Sequence, residues 1–217
     1  MLFRSQGDGL KHFGFSYLVN FAYFLSISLG ALIFMPVMYV TKASWNVVIR
    51  RLAEVTAAVM PLMAVLAIPV IVFYSQVYGW ADPEVAATHA MAHKTAYLSR
   101  NAFILRWVIY FAIWSGYALF FWRQSVAQDS SGDLTITRRL ENFSGFALMV
   151  CGLAVAAAAF DLLMSVDPLW FSTMFGVYYW AGGFVTFFAV LTLFTLGLQN
   201  TGRMERIVSP EHFHDYG

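Results

Sequence analysis

Cysteine and charge are both scarce in this sequence of 217 residues. The single cysteine, Cys151, leaves no partner for an internal disulfide, and neither a CxxCH haem-attachment motif nor the cysteines of an iron–sulfur cluster are present. Charged residues make up 12% of the chain, against roughly 25% in soluble globular domains. The net charge of +1 gives no basis for a nucleic-acid partner. An ordinary soluble domain is therefore excluded.

Apolar residues fill most of the chain instead: 60% of it is hydrophobic and 18% is aromatic. A membrane-spanning helix needs roughly 20 mostly apolar residues. Five stretches qualify, at about 17–40, 52–74, 102–122, 143–165 and 170–198. Stretches such as 148–160 do not alternate polar and apolar residues, as membrane strands would. The sequence predicts an all-α fold, a polytopic membrane helix bundle of about five transmembrane helices, with residues 1–217 as a single domain.

Lysine and arginine are distributed unequally between the two sides of this predicted bundle. Four lie on the side of the N-terminal tail and the second loop: Arg4, Lys11, Lys94 and Arg100. Eight lie on the side of the first loop, the third loop and the C-terminal tail: Lys42, Arg50, Arg51, Arg123, Arg138, Arg139, Arg203 and Arg206. Because loops rich in Lys and Arg stay in the cytoplasm, the asymmetry predicts an N-terminus outside and a cytoplasmic C-terminus.

Asp161 and Arg106 fall inside predicted spans, where an unpaired charge is costly. Asp161 lies six residues before Asp167, and Arg106 lies six residues after Arg100, so each is about 9 Å from the same end of its helix. Equal depth in adjacent helices predicts an ion pair near the outer face. Two interpretations remain open: a structural pair that fixes helix packing, or a proton or quinone site, since buried carboxylates carry protons.

The second loop places further polar residues near this pair. The segment DPE at 82–84 is typical of a helix start, and the spacing over 85–100 predicts a short helix at the outer interface. On such a helix His89 and His93 share one face, and Tyr97 lies one turn further.

Lys94 and Asp167 complete this polar group at the outer end. Three interpretations of the histidines remain open. An HxxxH pair can bind a metal, although no third ligand is evident. The histidines can also form an interfacial polar face, or a proton relay to a quinol in the outer leaflet, because histidine titrates near neutral pH. We expect no metal site here.

Glu54 opens the second span at the inner face, four residues after Arg50 and three after Arg51. Those spacings place the three charges on one helical face. They indicate either an ion pair at the helix end or an inner entrance for protons. No histidine lies within a predicted span, so a membrane haem held by two histidines is not expected, and the chain is expected to carry no redox centre.

Proline and small residues should shape the bundle. Pro36, Pro61 and Pro69 lie inside predicted spans, where each removes a backbone hydrogen bond and favours a kink.

Small residues are frequent over 145–159 of the fourth span and 176–183 of the fifth, which predicts close approach between helix backbones. The segment QDSSGD that follows the third span is typical of a solvated linker.

Residues 161–182 read DLLMSVDPLWFSTMFGVYYWAG. This stretch resembles the D-W-x-M-S-L-x-P-x-W-F-S-T-x-F-G-x-Y-x-x-A-G signature of the second NrfD-like quinone-binding subunit of alternative complex III. WNVVIRRLAE at 45–54 is similar to the W-x-x-x-x-x-R-x-x-E segment of that family. HDYG at 214–217 resembles the H-D-x-G that opens its next helix. The K-x-x-Y-L…F-x-x-R pattern is matched by Lys94, Tyr97, Leu98, Phe103 and Arg106.

The resemblance implies that the chain is half of a ten-helix NrfD-like fold, lacking the first helix and ending where the seventh would begin. It implies an integral membrane subunit of a bacterial quinol:cytochrome c oxidoreductase in the inner membrane. Such a subunit shapes a quinone site or a proton path and binds no cofactor directly, apart from quinone or quinol. Haem c and iron–sulfur clusters would lie in partners: a sister NrfD-like subunit, a multihaem cytochrome c and an iron–sulfur subunit. The site candidates are Asp161, Arg106, His89, His93, Lys94, Tyr97, Asp167 and Glu54.

Two other functions remain open at this point. Kinked helices and a buried acid–base pair are also found in secondary transporters, of which this chain could be one half. A purely structural membrane anchor is the other alternative. Membrane lipid is an expected partner of the chain, and the oxidoreductase hypothesis makes it a cofactor-free subunit of a complex rather than a catalyst alone.

Overall fold

A computed structural model describes residues 9–43, 49–201 and 213–214 of the chain. The described residues form helices and turns with no strand, so the predicted all-α bundle is confirmed. The helices in chain order are α1 (Gly9–Thr41), α2 (Arg50–Ala58), α3 (Met60–Leu66), α4 (Ile68–Val72), α5 (Tyr74–Val77), α6 (Pro83–Ala86), α7 (Arg100–Ser131), α8 (Leu134–Leu162) and α9 (Phe175–Asn200). Short 3₁₀ turns cover Gly79–Ala81, His89–Met91 and Met164–Val166.

Five helical stretches are long and apolar enough to cross a membrane: Gly9–Thr41, Arg50–Val72, Arg100–Ser131, Leu134–Val166 and Phe175–Asn200. Each of them overlaps one of the five predicted spans, and the chain fits a multi-pass membrane protein. The helices are longer than the apolar stretches because polar turns extend them. His12, for example, precedes the first predicted span but lies in α1.

The α1 helix lies at the centre of the bundle and packs against α9, α8 and α2. In the most apolar part of α1, 78% of the residues are buried, against 22% in α9. The contact with α9 depends on glycine. A Cβ atom at Gly30 would lie 2.5 Å from the carbonyl oxygen of Gly183, so any side chain there would force the two backbones apart.

Small residues on α8 and α9 behave in two ways. Gly176 lies against α8, where an added Cβ would be 2.9 Å from the Cα of Ala156, so this glycine permits close packing as predicted. Gly145, Gly152 and Gly182 have no atoms close to the position of a Cβ. Their side of each helix is open rather than packed inside the bundle.

The second span is not one continuous helix. It is divided into α2, α3 and α4, with junctions at Val59 and Ala67. Each junction lies two residues before a proline, Pro61 or Pro69, which is within the first turn of the following helix. Proline has no N–H to donate to the preceding turn, and its ring favours a helix start, so the predicted kinks are present as junctions. Pro36, in contrast, lies within the unbroken α1 helix.

The prediction that QDSSGD over 128–133 is a linker is wrong for most of the segment, because α7 continues through Ser131. The connection to α8 is only Gly132 and Asp133. Gly132 has a positive φ of 65°, which favours glycine, and its N–H donates to the carbonyl of Gln128. The Asp133 carboxylate accepts from the N–H of Thr135 and caps α8. A helical hairpin results, with polar turns on both arms.

The predicted interfacial helix over 85–100 is also wrong. Asp82 does cap a helix, accepting from the Glu84 N–H, but that helix, α6, is only four residues long. Thr88 then takes an extended conformation, with φ −69° and ψ 147°, which ends it. Turns follow as far as Ser99. Some apolar residues of this segment still contribute to the core: Met91 is buried, and Val85 and Leu98 pack against the buried cluster.

The fifth span begins later than predicted, at Phe175 instead of residue 170. Residues 167–174 form a non-helical segment over the end of α8. Residues 45–48 and 215–217, which carry parts of two family-like segments, lie outside the described residues.

Candidate functional site at the Asp161 end of the bundle

Asp161 and Arg106 form the ion pair that their equal depth predicts. The Arg106 Nε donates to Asp161 Oδ2 at 2.8 Å, and its Nη2 donates to Oδ1 at 3.0 Å. The geometry is bidentate, which is the strongest arrangement for an arginine and a carboxylate. The Asp161 side chain is fully buried, and that of Arg106 is 17% exposed. A buried carboxylate is therefore joined to a partner that reaches towards solvent.

Tyr110 is a third member of this group that the sequence reasoning missed. Its hydroxyl donates to Asp161 Oδ2 at 2.9 Å, and its ring stacks on Trp114. Tyr110 lies four residues after Arg106 on α7, hence on the same helical face. That spacing is the signal that could have identified it.

The backbone around Asp161 is held by a second set of hydrogen bonds. Ser165 donates to the Asp161 carbonyl at 2.5 Å, and the Trp80 indole lies 3.4 Å from the Ser165 hydroxyl. The buried Tyr78 hydroxyl donates to the carbonyl of Leu162 at 3.0 Å. Burial raises the pKa of Tyr78, so this donor stays protonated. The end of α8 is thus fixed by the second loop.

Tyr97 connects the ion pair to the surface. The Arg106 guanidinium lies 3.7 Å from the centre of the Tyr97 ring, and its Nη1 donates to the Tyr97 carbonyl at 2.8 Å. This is a close cation–π contact. Partial burial, with the nearby Asp161 charge as the second cause, raises the pKa of Tyr97 to about 12. Its hydroxyl therefore remains protonated at physiological pH.

A cavity of about 330 Å³ opens beside this group. Its lining combines aromatic, aliphatic and a few polar side chains: His93, Lys94, Tyr97, Leu98, Phe160, Met164, Ser165, Asp167, Pro168, Trp170 and Phe171. Lys94 donates from Nζ to the Pro168 carbonyl at 2.7 Å and lies 6.0 Å from the centre of the Phe171 ring. A volume of this size with few polar groups suits a small, flat, mostly apolar ligand.

The structure brings most of the predicted outer-end residues together. His93, Lys94, Tyr97 and Asp167 all line the cavity, and Tyr97 joins it to the Arg106–Asp161 pair. His89 does not line the cavity, and its side chain is exposed. Because the helix predicted over 85–100 is absent, His89 and His93 share no helical face.

Glu54 lies at the opposite end of the bundle and is 2% exposed. Its carboxylate accepts from Arg51 Nη1 at 2.7 Å and lies 3.4 Å from Arg50 Nε. Asp129, on α7, pairs with Arg51 and lies 3.6 Å from Arg50 Nη2. The predicted helix-face contacts are present, and Asp129 is an addition that sequence reasoning missed. This cluster contains two acidic and two basic groups.

Within the described part of the chain, no group of three or more His, Cys, Asp or Glu side chains could hold a metal ion. No family model matches the sequence, and the search of curated proteins finds no relative.

Proposed function

We propose that the chain is an integral membrane subunit of a respiratory quinol:electron-acceptor oxidoreductase, in which it shapes a quinone site and a proton path. The observation that carries the proposal is the buried Asp161–Arg106 pair, which Tyr97 connects to the cavity of about 330 Å³. Asp161 and part of the cavity lining, from Met164 to Phe171, belong to the segment that resembles the NrfD-like signature. Aromatic side chains in the cavity lining can stack on a flat ring, and its polar side chains can pair with the oxygens of a quinol.

Each residue has a stated task in this proposal. Lys94 donates a hydrogen bond to a quinone oxygen, and the ring stacks against Trp170 or Phe171, which line the same cavity. Oxidation of a quinol releases two electrons and two protons. His93, which lines the cavity, is the group placed to accept those protons, and the protonated Tyr97 hydroxyl can donate a hydrogen bond to a quinone oxygen.

The electrons leave through other proteins, because the proposal gives this chain no redox centre of its own. As the family resemblance implies, haem c and iron–sulfur clusters lie in a multihaem cytochrome c and an iron–sulfur subunit. A sister NrfD-like subunit is the third proposed partner. The chain works as part of this assembly and is not an enzyme alone.

The proposed location is the bacterial inner membrane, with the N-terminus outside and the C-terminus in the cytoplasm. This orientation follows the distribution of Lys and Arg. It places the Asp161 end at the outer face and the Glu54 end at the inner face. Reporter fusions after Gln128 and after Arg203 should both report the cytoplasm, and a periplasmic signal from either would contradict the orientation.

Quinone binding can be tested with the purified chain in detergent. Decylubiquinone should quench tryptophan fluorescence, and Trp170→Phe should remove much of the signal because Trp170 lines the cavity. Lys94→Gln should weaken binding about tenfold, the effect of one lost charge-assisted hydrogen bond. Glu54→Gln, at the other end of the bundle, is the matched control and should bind normally. Equal quenching in the wild type and Lys94→Gln would contradict the proposed site.

A transporter half is the second candidate, favoured by the division of the second span into three short helices. Broken helices of this kind form ion and substrate sites in transporters. Vesicles that contain only this chain would then show a proton flux coupled to solute, and Asp161→Asn would abolish it. Quinone binding without such a flux favours the oxidoreductase subunit.

A further inference from the structure

The first polar turns of α8 carry a basic group that the proposed function does not use. Thr135, Arg138, Arg139, Asn142 and Phe143 line an open depression of about 460 Å³ at the Glu54 end of the bundle. Arg138 and Arg139 are both exposed. Neither forms an ion pair with any residue that the structure describes.

Two other arginines at this end of the bundle differ from Arg138 and Arg139 in their partners. Arg50 and Arg51 both contact Glu54 and Asp129, so their charges are compensated inside the protein. Within the described ranges no carboxylate lies at ion-pair distance from Arg138 or Arg139, and the same depression presents a hydroxyl and an amide, each of which can donate a hydrogen bond. Such a group is complementary to a phosphate, which arginine binds through paired N–H donors.

The depth of this group in the membrane identifies the source of the phosphate. Apolar residues dominate α8 from Phe143 onwards, so Arg138 and Arg139 lie where lipid headgroups begin. An apolar groove of about 440 Å³ lies further along, lined by Ile33, Val37, Leu148, Gly152, Ala156, Gly176, Val177 and Trp180. Asn142, Gly152 and Ala156 lie on one face of α8 at helical spacing.

The distance between the two sites matches the length of a lipid. Ten residues separate Asn142 from Gly152, which is about 15 Å along the helix and equals half of a roughly 30 Å hydrocarbon core. Gly145 and Gly152 leave space on the face between them, because nothing lies within 4 Å of a Cβ placed at either. An acyl chain that follows this face packs against the exposed apolar side chains of Phe146 and Met149 before it reaches the groove.

We propose that this face of α8 binds an anionic phospholipid. The phosphate lies at Arg138 and Arg139, with Thr135 and Asn142 as further donors, and one acyl chain follows α8 to the groove at Gly152. The ligand class is a phosphodiester lipid with net negative charge. Basic groups at the ends of transmembrane helices are known to hold such headgroups.

The test measures the thermal midpoint of the purified full-length chain in detergent while phosphatidylglycerol or phosphatidylcholine is titrated. Phosphatidylglycerol should stabilise the wild type at concentrations where phosphatidylcholine does not. In Arg138→Gln/Arg139→Gln the apparent affinity should fall about 30-fold, as expected for two basic groups at an anionic surface. Arg123→Gln removes an exposed arginine that is not part of the depression, and it should keep the wild-type affinity.

Two further arms identify the ligand. Gly152→Leu fills the apolar groove. It should lower the apparent affinity for phosphatidylglycerol and leave the response to inorganic phosphate unchanged. Stabilisation by inorganic phosphate at the same concentration as by the lipid would overturn the proposal, because it would identify a soluble anion. Equal affinity of the wild type and the double arginine variant for phosphatidylglycerol would overturn it as well.

Discussion

The two ends of the bundle each bury a carboxylate against arginine, but they do so in different ways. Glu54 pairs with arginines three and four residues away on its own helix, and Asp129 balances the remaining charge. Asp161 pairs with Arg106, which is 55 residues distant in sequence, and its oxygen also accepts from Tyr110. The partners of Glu54 are local, and Asp129 links that cluster to α7 through the same two arginines. The partners of Asp161, in contrast, both lie on another span.

The difference lies in what surrounds each pair. A cavity of about 330 Å³ adjoins the Asp161 pair through Tyr97, whereas Asp129 balances the charges around Glu54. Burial of a charge is therefore not enough to indicate a site, because both carboxylates are almost completely buried. A buried charge becomes a candidate for chemistry when a ligand-sized space lies next to it. The comparison predicts that changes at the two ends will separate stability from ligand binding.

The largest effect is expected at Asp161. Asp161→Asn or Arg106→Gln should each destabilise the protein by about 3–5 kcal/mol, because each leaves a charge without its partner inside the membrane. The double variant removes both charges and should recover most of that loss. Unfolding of the purified chain by SDS titration measures all three. If the double variant is as unstable as the sum of the single ones, the pair is not coupled.

Glu54→Gln should cost less, about 1.5–3 kcal/mol, the usual loss when a hydrogen bond to a charged group is weakened. Asp129 still compensates Arg50 and Arg51 in this variant. The same SDS titration gives the loss, and decylubiquinone quenching should be unchanged. Weaker quinone binding in Glu54→Gln would break the proposed division between the two ends.

A smaller effect is expected from Tyr97→Phe, and only at high pH. Burial and the Asp161 charge raise the pKa of Tyr97 from 10.0 to about 12, so the folded protein holds this proton longer than the unfolded chain. The contribution to stability is complete below pH 10 and is lost as the pH rises towards 12. The wild type should therefore lose stability faster than Tyr97→Phe between these values. Parallel curves for the two proteins would contradict the raised pKa.

The smallest effect is expected from Asp133→Ala, which removes the cap of α8. Hydrogen bonds from the Thr135 hydroxyl and N–H lower the pKa of Asp133 below its ordinary 3.8. The cap stabilises the helix at neutral pH, and this contribution disappears as the pH falls through the lowered pKa. The thermal midpoint should drop slightly in the variant at pH 7, and the difference should vanish at strongly acidic pH. A constant difference across that range would mean that the charge is not involved.

Sequence alone predicted the five spans because a run of apolar residues is sufficient evidence of a membrane helix. It also predicted the contact between Arg106 and Asp161, since equal depth and opposite charge leave few other partners. It did not predict that α7 extends through Ser131, because polar residues beyond an apolar run look like a loop. There the cap at Asp133 and the turn at Gly132 decide the boundary.

The prediction of a helix in the second loop was wrong for a different reason. Buried side chains at helical spacing, such as Met91, also occur in an irregular loop that folds over the bundle. Contacts between distant parts of the chain determine that loop, among them the hydrogen bond from Lys94 to the Pro168 carbonyl and that from Tyr78 to the Leu162 carbonyl. Neither can be derived from local spacing. The cavity depends on the same contacts, so its lining could be predicted only in part.

The central position of α1 has a consequence for how the bundle assembles during synthesis. The helices α8 and α9, which pack against α1, are synthesised more than 90 residues after it. During that time α1 must be stable in the lipid without them. Its mean hydropathy of 2.0 allows this, because an apolar helix is stable in lipid by itself. The close backbone contact at Gly30 can form only when α9, which carries Gly183, has been synthesised. A ribosome stalled before α9 should therefore leave α1 inserted in the membrane but accessible to crosslinking from lipid.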